Sequence, residues 1–113
     1  MLKWAYHATR RRDLPKIYRE GLVPRRQPAR HFDEPRQTEE EVLFFAPTEE
    51  LALTWNEAVL RFPWPDEYEE DYYGDSMLIH GEVVRSSNFT YNEIPPEDLF
   101  TKVGKRWVRV IQK

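Results

Sequence analysis

Cysteine is absent from the 113 residues, which excludes disulfides, thiolate metal sites and a cysteine nucleophile. Long apolar runs are missing as well. The sequence contains no stretch of roughly 18 apolar residues, which is the length that a helix needs to cross a bilayer. The first residues, MLKWAYHATRRR, lack the apolar stretch and the small-residue cleavage site of a secretory signal. We therefore expect a soluble, cytoplasmic protein without membrane contact, whose chemistry relies on histidine, carboxylates, hydroxyls or a bound cofactor.

Charge is unevenly distributed behind a net value of −3. Residues 1–30 contain nine Lys or Arg against two acidic residues, whereas the rest of the chain contains eight against eighteen. The basic segment 25–30 could bind a phosphate-bearing ligand or nucleic acid, because the guanidinium fork matches phosphate, but we favour a solvated loop that the acidic segment partly neutralises. The acidic side chains cluster within 66–75, and we expect 63–75 to be an exposed loop.

The first half of the chain predicts a strand followed by a short helix. Apolar alternation indicates a strand over 2–7. Asp13 is a candidate N-cap for a two-turn helix, and Gly21 can supply the left-handed residue that ends it. Prolines and charges then make 24–40 a long irregular connection, which in a small domain is typical of a functional flap.

The second half predicts another helix and several strands. Residues 42–46 read as a buried strand, and Thr48 is expected to cap a longer helix. The apolar stripe of that helix is predicted to contain Leu51, Ala52, Trp55, Ala58, Val59 and Phe62. Residues 77–84 are predicted to form one strand, with His80 and Glu82 on the same face, and two short strands flank Gly104. A metal site at His80 and Glu82 lacks a further ligand, so we predict none.

No repeat or domain boundary is visible, so we predict a single domain spanning 1–113. The order of strand, helix, strand, helix and then three or four strands predicts an α+β fold. In such a fold the two helices pack on a largely antiparallel sheet.

Three short motifs occur in order along nearly the whole chain: YHAT, LFFAPTEELALTW and YNEIPPEDL. Together they resemble the ADP-ribosyltransferase superfamily, which includes NAD-dependent toxins, poly(ADP-ribose) polymerases and RNA 2′-phosphotransferases. The resemblance implies a small ADP-ribosyltransferase-like domain with a split, largely antiparallel sheet. It also implies a mono-ADP-ribosyltransferase that uses NAD as substrate and a protein or nucleic-acid acceptor.

Individual residues carry the resemblance. His7, Ala8 and Thr9 match the family's His-Gly-Thr motif, and Phe44-Phe45-Ala46 match its Tyr-Phe-Ala motif, with Ala8 and Phe44 departing from glycine and tyrosine. Trp55 stands where the polymerases have a second stacking tyrosine, and Tyr91-Asn92-Glu93 resemble the Tyr-Asn-Glu that carries their catalytic glutamate. The RNA 2′-phosphotransferases use an Arg and His set instead, and the basic early segment keeps that branch open.

The resemblance assigns a role to each of these residues. Glu93 would stabilise the positive charge that develops on the ribose as nicotinamide leaves, and His7 would bind a ribose hydroxyl in the same catalytic site. The backbone of Ala8 would pair with the nicotinamide amide, and the rings of Phe44 and Trp55 would stack on its face. The residues implied to contact NAD are His7, Ala8, Thr9, Arg10, Phe44, Phe45, Trp55 and Tyr91.

Purely structural interpretations stand beside these roles. His7 can be a satisfied buried histidine, and at least one of the two phenylalanines must face the core. Glu93 can be an ordinary loop carboxylate, and Glu97 competes with it for the acidic role. The second function hypothesis is therefore a catalytically inactive domain of the same fold, which binds or inhibits a partner through the acidic loop 66–75.

Overall fold

A computed structural model describes residues 3–26, 41–71 and 75–111 of the chain. The strands in this part are β1 (Trp4–Thr9), β2 (Arg25–Arg26), β3 (Glu41–Phe45), β4 (Ala58–Pro63), β5 (Glu69–Glu70), β6 (Ser76–Ile79), β7 (Glu82–Arg85), β8 (Asn88–Thr90), β9 (Phe100–Val103) and β10 (Arg106–Arg109). The helices are α1 (Leu14–Glu20) and α2 (Glu49–Leu53), with 3₁₀ turns at Arg11–Asp13 and Pro96–Asp98. Every pairing between described strands is antiparallel, which confirms the predicted α+β fold with two helices.

The sheet is split along β3. One sheet has the order β1-β4-β9-β10 and the other the order β2-β3-β8-β5, while β6 and β7 form a separate hairpin. Tyr6 and Ala46 connect the two sheets through a pair of backbone hydrogen bonds of 2.9 and 2.8 Å. The start of β3 therefore pairs with β2, its end meets β1, and the two sheets diverge between these points.

The hydrophobic core lies between the two sheets and α1. Its members are Ala5, Ile17, Leu22, Leu43, Phe45, Leu60, Phe62, Ile94 and Leu99. Helix α1 contributes Ile17, and the Tyr18 hydroxyl donates a hydrogen bond of 3.2 Å to Thr101 Oγ1 on β9. This packing fixes α1 against the same face of the first sheet that carries Ala5.

Helix α1 ends as the sequence predicts but begins differently. Gly21 has φ of 83°, and a Cβ at this position would collide with the carbonyl oxygen of Ile94, so the stop requires glycine. The predicted Asp13 cap is wrong, because the Asp13 side chain makes no capping hydrogen bond. Asp13 instead belongs to the 3₁₀ turn, and its carboxylate lies 3.4 Å from Arg10 Nε.

The second predicted helix is too long. Thr48 does cap α2, because its Oγ1 accepts a 3.2 Å hydrogen bond from the Leu51 amide. The helix ends at Leu53, and Ala58–Pro63 form β4 instead of further helical turns. The reason is a period of two, since Leu60 and Phe62 are both fully buried on either side of half-buried Arg61.

The predicted strand over 77–84 is instead the hairpin β6-β7. His80 and Gly81 form its turn with φ of 49° and 82°, as in the type I′ turns that match the twist of paired strands. His80 therefore lies in a turn and shares no strand face with Glu82, which corrects that prediction.

The two predicted loops are partly ordered into short strands. Glu69–Glu70 pair with β8, the described residues 66–70 are exposed, and Asp71 is buried at 2% exposure. Arg25–Arg26 pair with the start of β3, whereas the remainder of the predicted flap and of the basic segment lies outside the described residues. Within the described ranges, no helix has the length and apolar character needed to span a membrane.

Candidate functional site

The candidate site is the junction at which β1 separates from β3, hereafter the junction. Here the His7 Nδ1 donates a 2.7 Å hydrogen bond to the carbonyl oxygen of Phe44, 37 residues away in sequence. Because a carbonyl oxygen can only accept, Nδ1 carries a proton in this contact. The structure thus brings together the first two motifs and orients the ring of His7.

The backbone of Ala8 points into the junction. In an antiparallel ladder, alternate residues direct N–H and C=O toward opposite neighbours. Tyr6 exchanges both of its backbone hydrogen bonds with Ala46, so Ala8, two residues further, directs its N–H and C=O to the same side. In a continuous ladder Ala8 would face Phe44, but the Phe44 carbonyl is taken by His7. The amide and carbonyl of Ala8 therefore point to the side on which β1 and β3 diverge beyond the Tyr6–Ala46 bridge.

The turn after α2 closes one end of the junction. Thr9 is 8% exposed and pairs with Ala58, the first residue of β4. Trp55 is half-buried in the turn that precedes β4, and Glu57 Oε1 accepts a 2.9 Å hydrogen bond from the Arg11 amide. Thr9 and the Trp55 turn therefore lie at the same end of β1. Arg10 is exposed there and forms the ion pair with Asp13 described above.

The two phenylalanines contribute packing at this junction. Phe44 is 4% exposed, and its ring centroid lies 5.6 Å from that of Phe89. Phe45 is fully buried, with ring centroids 5.9 Å from Phe62 and 4.9 Å from Trp64. Both rings are therefore buried, which leaves neither the Phe44 ring exposed for the implied stacking nor Phe45 exposed for the implied contact with NAD. Phe44 contributes its carbonyl to the junction instead.

The structure does not bring Glu93 to His7. Glu93 is exposed and lies beside Pro63 and Trp64. The Trp64 amide donates to the carbonyl of Lys3, so the surface around Trp64 and Glu93 lies next to Lys3. Lys3 precedes His7 by four residues, which corresponds to about 13 Å along an extended strand. Glu97 is exposed in the 3₁₀ turn after Pro95, and its carbonyl accepts a 2.9 Å hydrogen bond from Arg109. Neither candidate carboxylate lies in the junction.

Tyr91 is also remote from the junction. Its side chain is 49% exposed, and its ring packs edge-on against Phe89 at 5.8 Å between centroids. It belongs to the same surface as Glu93 and not to the His7 end of β1.

Buried polar residues on β8 face the end of β3 instead. Asn88 pairs with Phe45, is 1% exposed and donates from Nδ2 to the Arg85 carbonyl at 3.1 Å. Ser87 is 4% exposed, and its buried Oγ has no hydrogen-bond partner among the described residues. The Ser87 carbonyl accepts from the amide of buried Asp71 at 3.0 Å. The sequence signal for these residues was weak, because short polar side chains beside a strand also occur in turns.

Glu93 lines an elongated surface that we call the acidic groove. It consists of two adjoining cavities of about 300 and 330 Å³ that share Asp66, Glu67 and Asn92. The groove is lined by five carboxylates, from Asp66, Glu67, Glu69, Glu93 and Asp98, and by the rings of Trp64, Tyr68 and Tyr91. Thr90 Oγ1 donates a 2.9 Å hydrogen bond to the Glu67 carbonyl and so ties the groove to β8.

No set of three or more His, Asp or Glu side chains in the described part of the chain is grouped to hold a metal ion. Compared with protein families, curated proteins and solved structures, the chain gives no match.

Proposed function

We propose that the protein is an ADP-ribosyltransferase-like domain that binds NAD at the junction. The observation that carries the proposal is the hydrogen bond between His7 Nδ1 and the Phe44 carbonyl. Beside this bond, the backbone of Ala8 points to the side on which β1 and β3 diverge. Two motifs that resemble the superfamily thus meet at one point of a split antiparallel sheet.

The junction suits the nicotinamide riboside half of NAD. A carboxamide carries one donor and one acceptor and can pair with the N–H and C=O of Ala8 in the manner of a neighbouring strand. The His7 ring, oriented by its hydrogen bond to the Phe44 carbonyl, is the group that we propose contacts a ribose hydroxyl, while Thr9 adds a hydroxyl at the same end of β1. Half-buried Trp55 supplies a ring at the edge of the site.

The transfer of ADP-ribose to a protein or nucleic-acid acceptor needs an anionic group beside the ribose. Such a group acts because positive charge develops on the sugar in the transition state. Glu93, to which the resemblance assigns this role, lies about 13 Å along the strand from His7 and so cannot stand beside a ribose held at the junction in this conformation. We therefore treat NAD binding and transfer as separable steps, each with its own test. The proposal takes the cytoplasm as the working compartment, because NAD is supplied there.

The binding step is tested by a thermal shift with NAD. A ligand at ten times its Kd stabilises the folded state by about 1.4 kcal/mol, which corresponds to about 6 °C in a domain of this size. We expect this shift in the native protein and a reduced shift in His7→Gln. His80→Gln is the matched control, because His80 lies in an exposed turn. No shift in the native protein at millimolar NAD contradicts the proposal.

The transfer step is tested with labelled NAD and candidate acceptors. We expect Glu93→Gln and Glu97→Gln both to keep the NAD-dependent thermal shift, and a loss of labelling in Glu93→Gln alone would support Glu93 as the carboxylate of the transfer step. If Glu93→Gln labels acceptors as well as the native protein does, Glu93 is not the catalytic carboxylate.

A second candidate function follows from the acidic groove. Five carboxylates and two largely exposed tyrosines, Tyr68 and Tyr91, line one continuous surface, which is complementary to a basic protein segment. In this case the domain is catalytically inactive and acts by binding a partner. Replacing Asp66 and Glu67 by Asn and Gln should then weaken binding of an Arg- and Lys-rich peptide. Glu50→Gln, on α2 outside the groove, should leave it unchanged.

A further inference from the structure

The outward face of the first sheet carries aromatic and basic side chains together. Directly paired residues lie on the same face of a sheet, and the register pairs Tyr6 with Arg61, Arg61 with Phe100, Phe100 with Arg109 and Lys102 with Trp107. We call this the ladder face, and its members are Trp4, Tyr6, Arg61, Phe100, Lys102, Trp107 and Arg109. None of its four strands contains an acidic residue.

Arg61 stands at the centre of the ladder face and is held by rings. Its guanidinium carbon lies 4.0 Å from the ring centroid of Trp4, 4.8 Å from that of Trp107 and 5.8 Å from that of Phe100. Its Nε is buried without a hydrogen-bond partner, and no described carboxylate forms an ion pair with it. Aromatic faces stabilise a cation without neutralising it, so the positive charge remains for an anionic ligand.

Arg109 repeats this arrangement two strands away. Its guanidinium carbon lies 5.0 Å from the Phe100 centroid, and its Nη1 donates to the carbonyl of Glu97, not to a carboxylate. Lys102 differs, because its ammonium lies 5.8 Å from the Trp107 centroid and pairs with Glu49 at 2.9 Å. Two of the three cations on the ladder face therefore lack an acidic partner within the described ranges.

The rings of the ladder face also retain contact with solvent. Trp4, Tyr6, Phe100 and Trp107 are each half-buried, whereas Ala5, Leu60 and Phe62 on the opposite face are fully buried. Four strands at about 4.8 Å spacing make the face about 14 Å wide. Ring edges and cations alternate across this width.

We propose that the ladder face binds single-stranded nucleic acid. An unpaired strand presents both chemical features that the face requires, since its phosphates are anionic and its bases offer π-faces for stacking. An acidic peptide would match the charge but would not engage the rings. Phosphates then contact Arg61 and Arg109, and bases stack on the accessible parts of Trp4 and Trp107.

This site is separate from the NAD proposal. His7 lies on the core face of β1, whereas Trp4 and Tyr6 lie on the opposite face because strand residues alternate. The binding of nucleic acid can therefore be present whether or not the junction binds NAD.

Fluorescence anisotropy of a labelled oligonucleotide of about 12 unpaired nucleotides tests the proposal with the full chain. We expect binding that weakens as salt rises, and Arg109→Gln should lower the slope of log affinity against log salt by about 0.7. Arg106→Gln is the matched control, because Arg106 is exposed on the same strand but points to the opposite face. Trp107→Leu should weaken binding by about 5- to 150-fold, because one base then loses the aromatic ring on which it stacks.

Thermal melting of each variant shows whether weaker oligonucleotide binding comes from unfolding or from the loss of a contact with the nucleic acid. Arg109→Gln should disturb folding least, because Arg109 is exposed. Four outcomes overturn the proposal: no binding at low salt, equal weakening by Arg106→Gln and Arg109→Gln, tighter binding of duplex, or displacement of the oligonucleotide by saturating NAD. An acidic peptide that competes as well as the oligonucleotide also overturns it, since charge alone would then explain the binding.

Discussion

Replacement of His7 by leucine should lower stability because it removes a side-chain donor that connects β1 to the end of β3. Leucine leaves the Phe44 carbonyl without its 2.7 Å hydrogen bond, at a position where Phe44 itself is 4% exposed. An unsatisfied buried acceptor costs about 1 to 3 kcal/mol, and half-buried His7 places the expected loss in the lower half of that range. The midpoint of thermal unfolding should therefore fall by about 4 to 8 °C.

Urea denaturation measures this loss directly, and the slope with urea should be unchanged because the fold is retained. His80→Leu is the comparison, since its side chain lies in the exposed β6-β7 turn and makes no described hydrogen bond. Its effect should stay within about 0.5 kcal/mol, as is usual for surface substitutions. A His7→Leu protein as stable as the native one would refute the role of the hydrogen bond.

Three further substitutions test the packing and the chain reversals. Phe45→Ala should destabilise the fold by about 3 to 5 kcal/mol in urea denaturation, because a fully buried ring contacting Phe62 and Trp64 is lost. Gly21→Ala should cost more in unfolding free energy than Gly104→Ala, since both have positive φ but only Gly21 has a carbonyl in the way. Thr48→Ala should cost about 1 kcal/mol in thermal melts through loss of the α2 cap, and Thr48→Ser should cost less.

Local signals in the sequence were sufficient to predict a helix end or a turn where a single residue type determines the backbone conformation. Gly21 ends α1, Thr48 caps α2, and Gly104 separates the last two strands, as expected from left-handed backbone preference and side-chain capping. The buried strand at 42–46 was also predictable, because a continuous apolar run of five residues has few alternatives in a small domain.

The sequence pattern gave a wrong prediction where the same apolar residues fit both a helical and a strand period. In the segment 51–62, apolar residues satisfy a helical stripe, yet Leu60 and Phe62 are buried by pairing of β4 with β1. Only the tertiary contact with β1 selects the strand, so local periodicity could not decide it. The His80-Gly81 turn was missed for a related reason, because a histidine with positive φ is uncommon and gave no turn signal.

The candidate site was only partly predictable. The meeting of His7 with Phe44 follows from the order of the motifs, but the contact uses the Phe44 carbonyl and not its ring. Glu93 matched a motif in sequence, whereas its position depends on how far β8 extends before the chain turns toward Ile94, which pairs with Leu22. The length of β8 is set by pairing with β3 and β5, and no local pattern encodes it.

Backbone amide NMR during an NAD titration tests the central claim most directly. We expect the largest chemical-shift changes at the Ala8 and Thr9 amides and at the Trp55 indole, with little change at Tyr91 and Asp98 in the acidic groove. Shifts confined to the acidic groove, or no shifts at millimolar NAD, would contradict binding at the junction of β1 and β3.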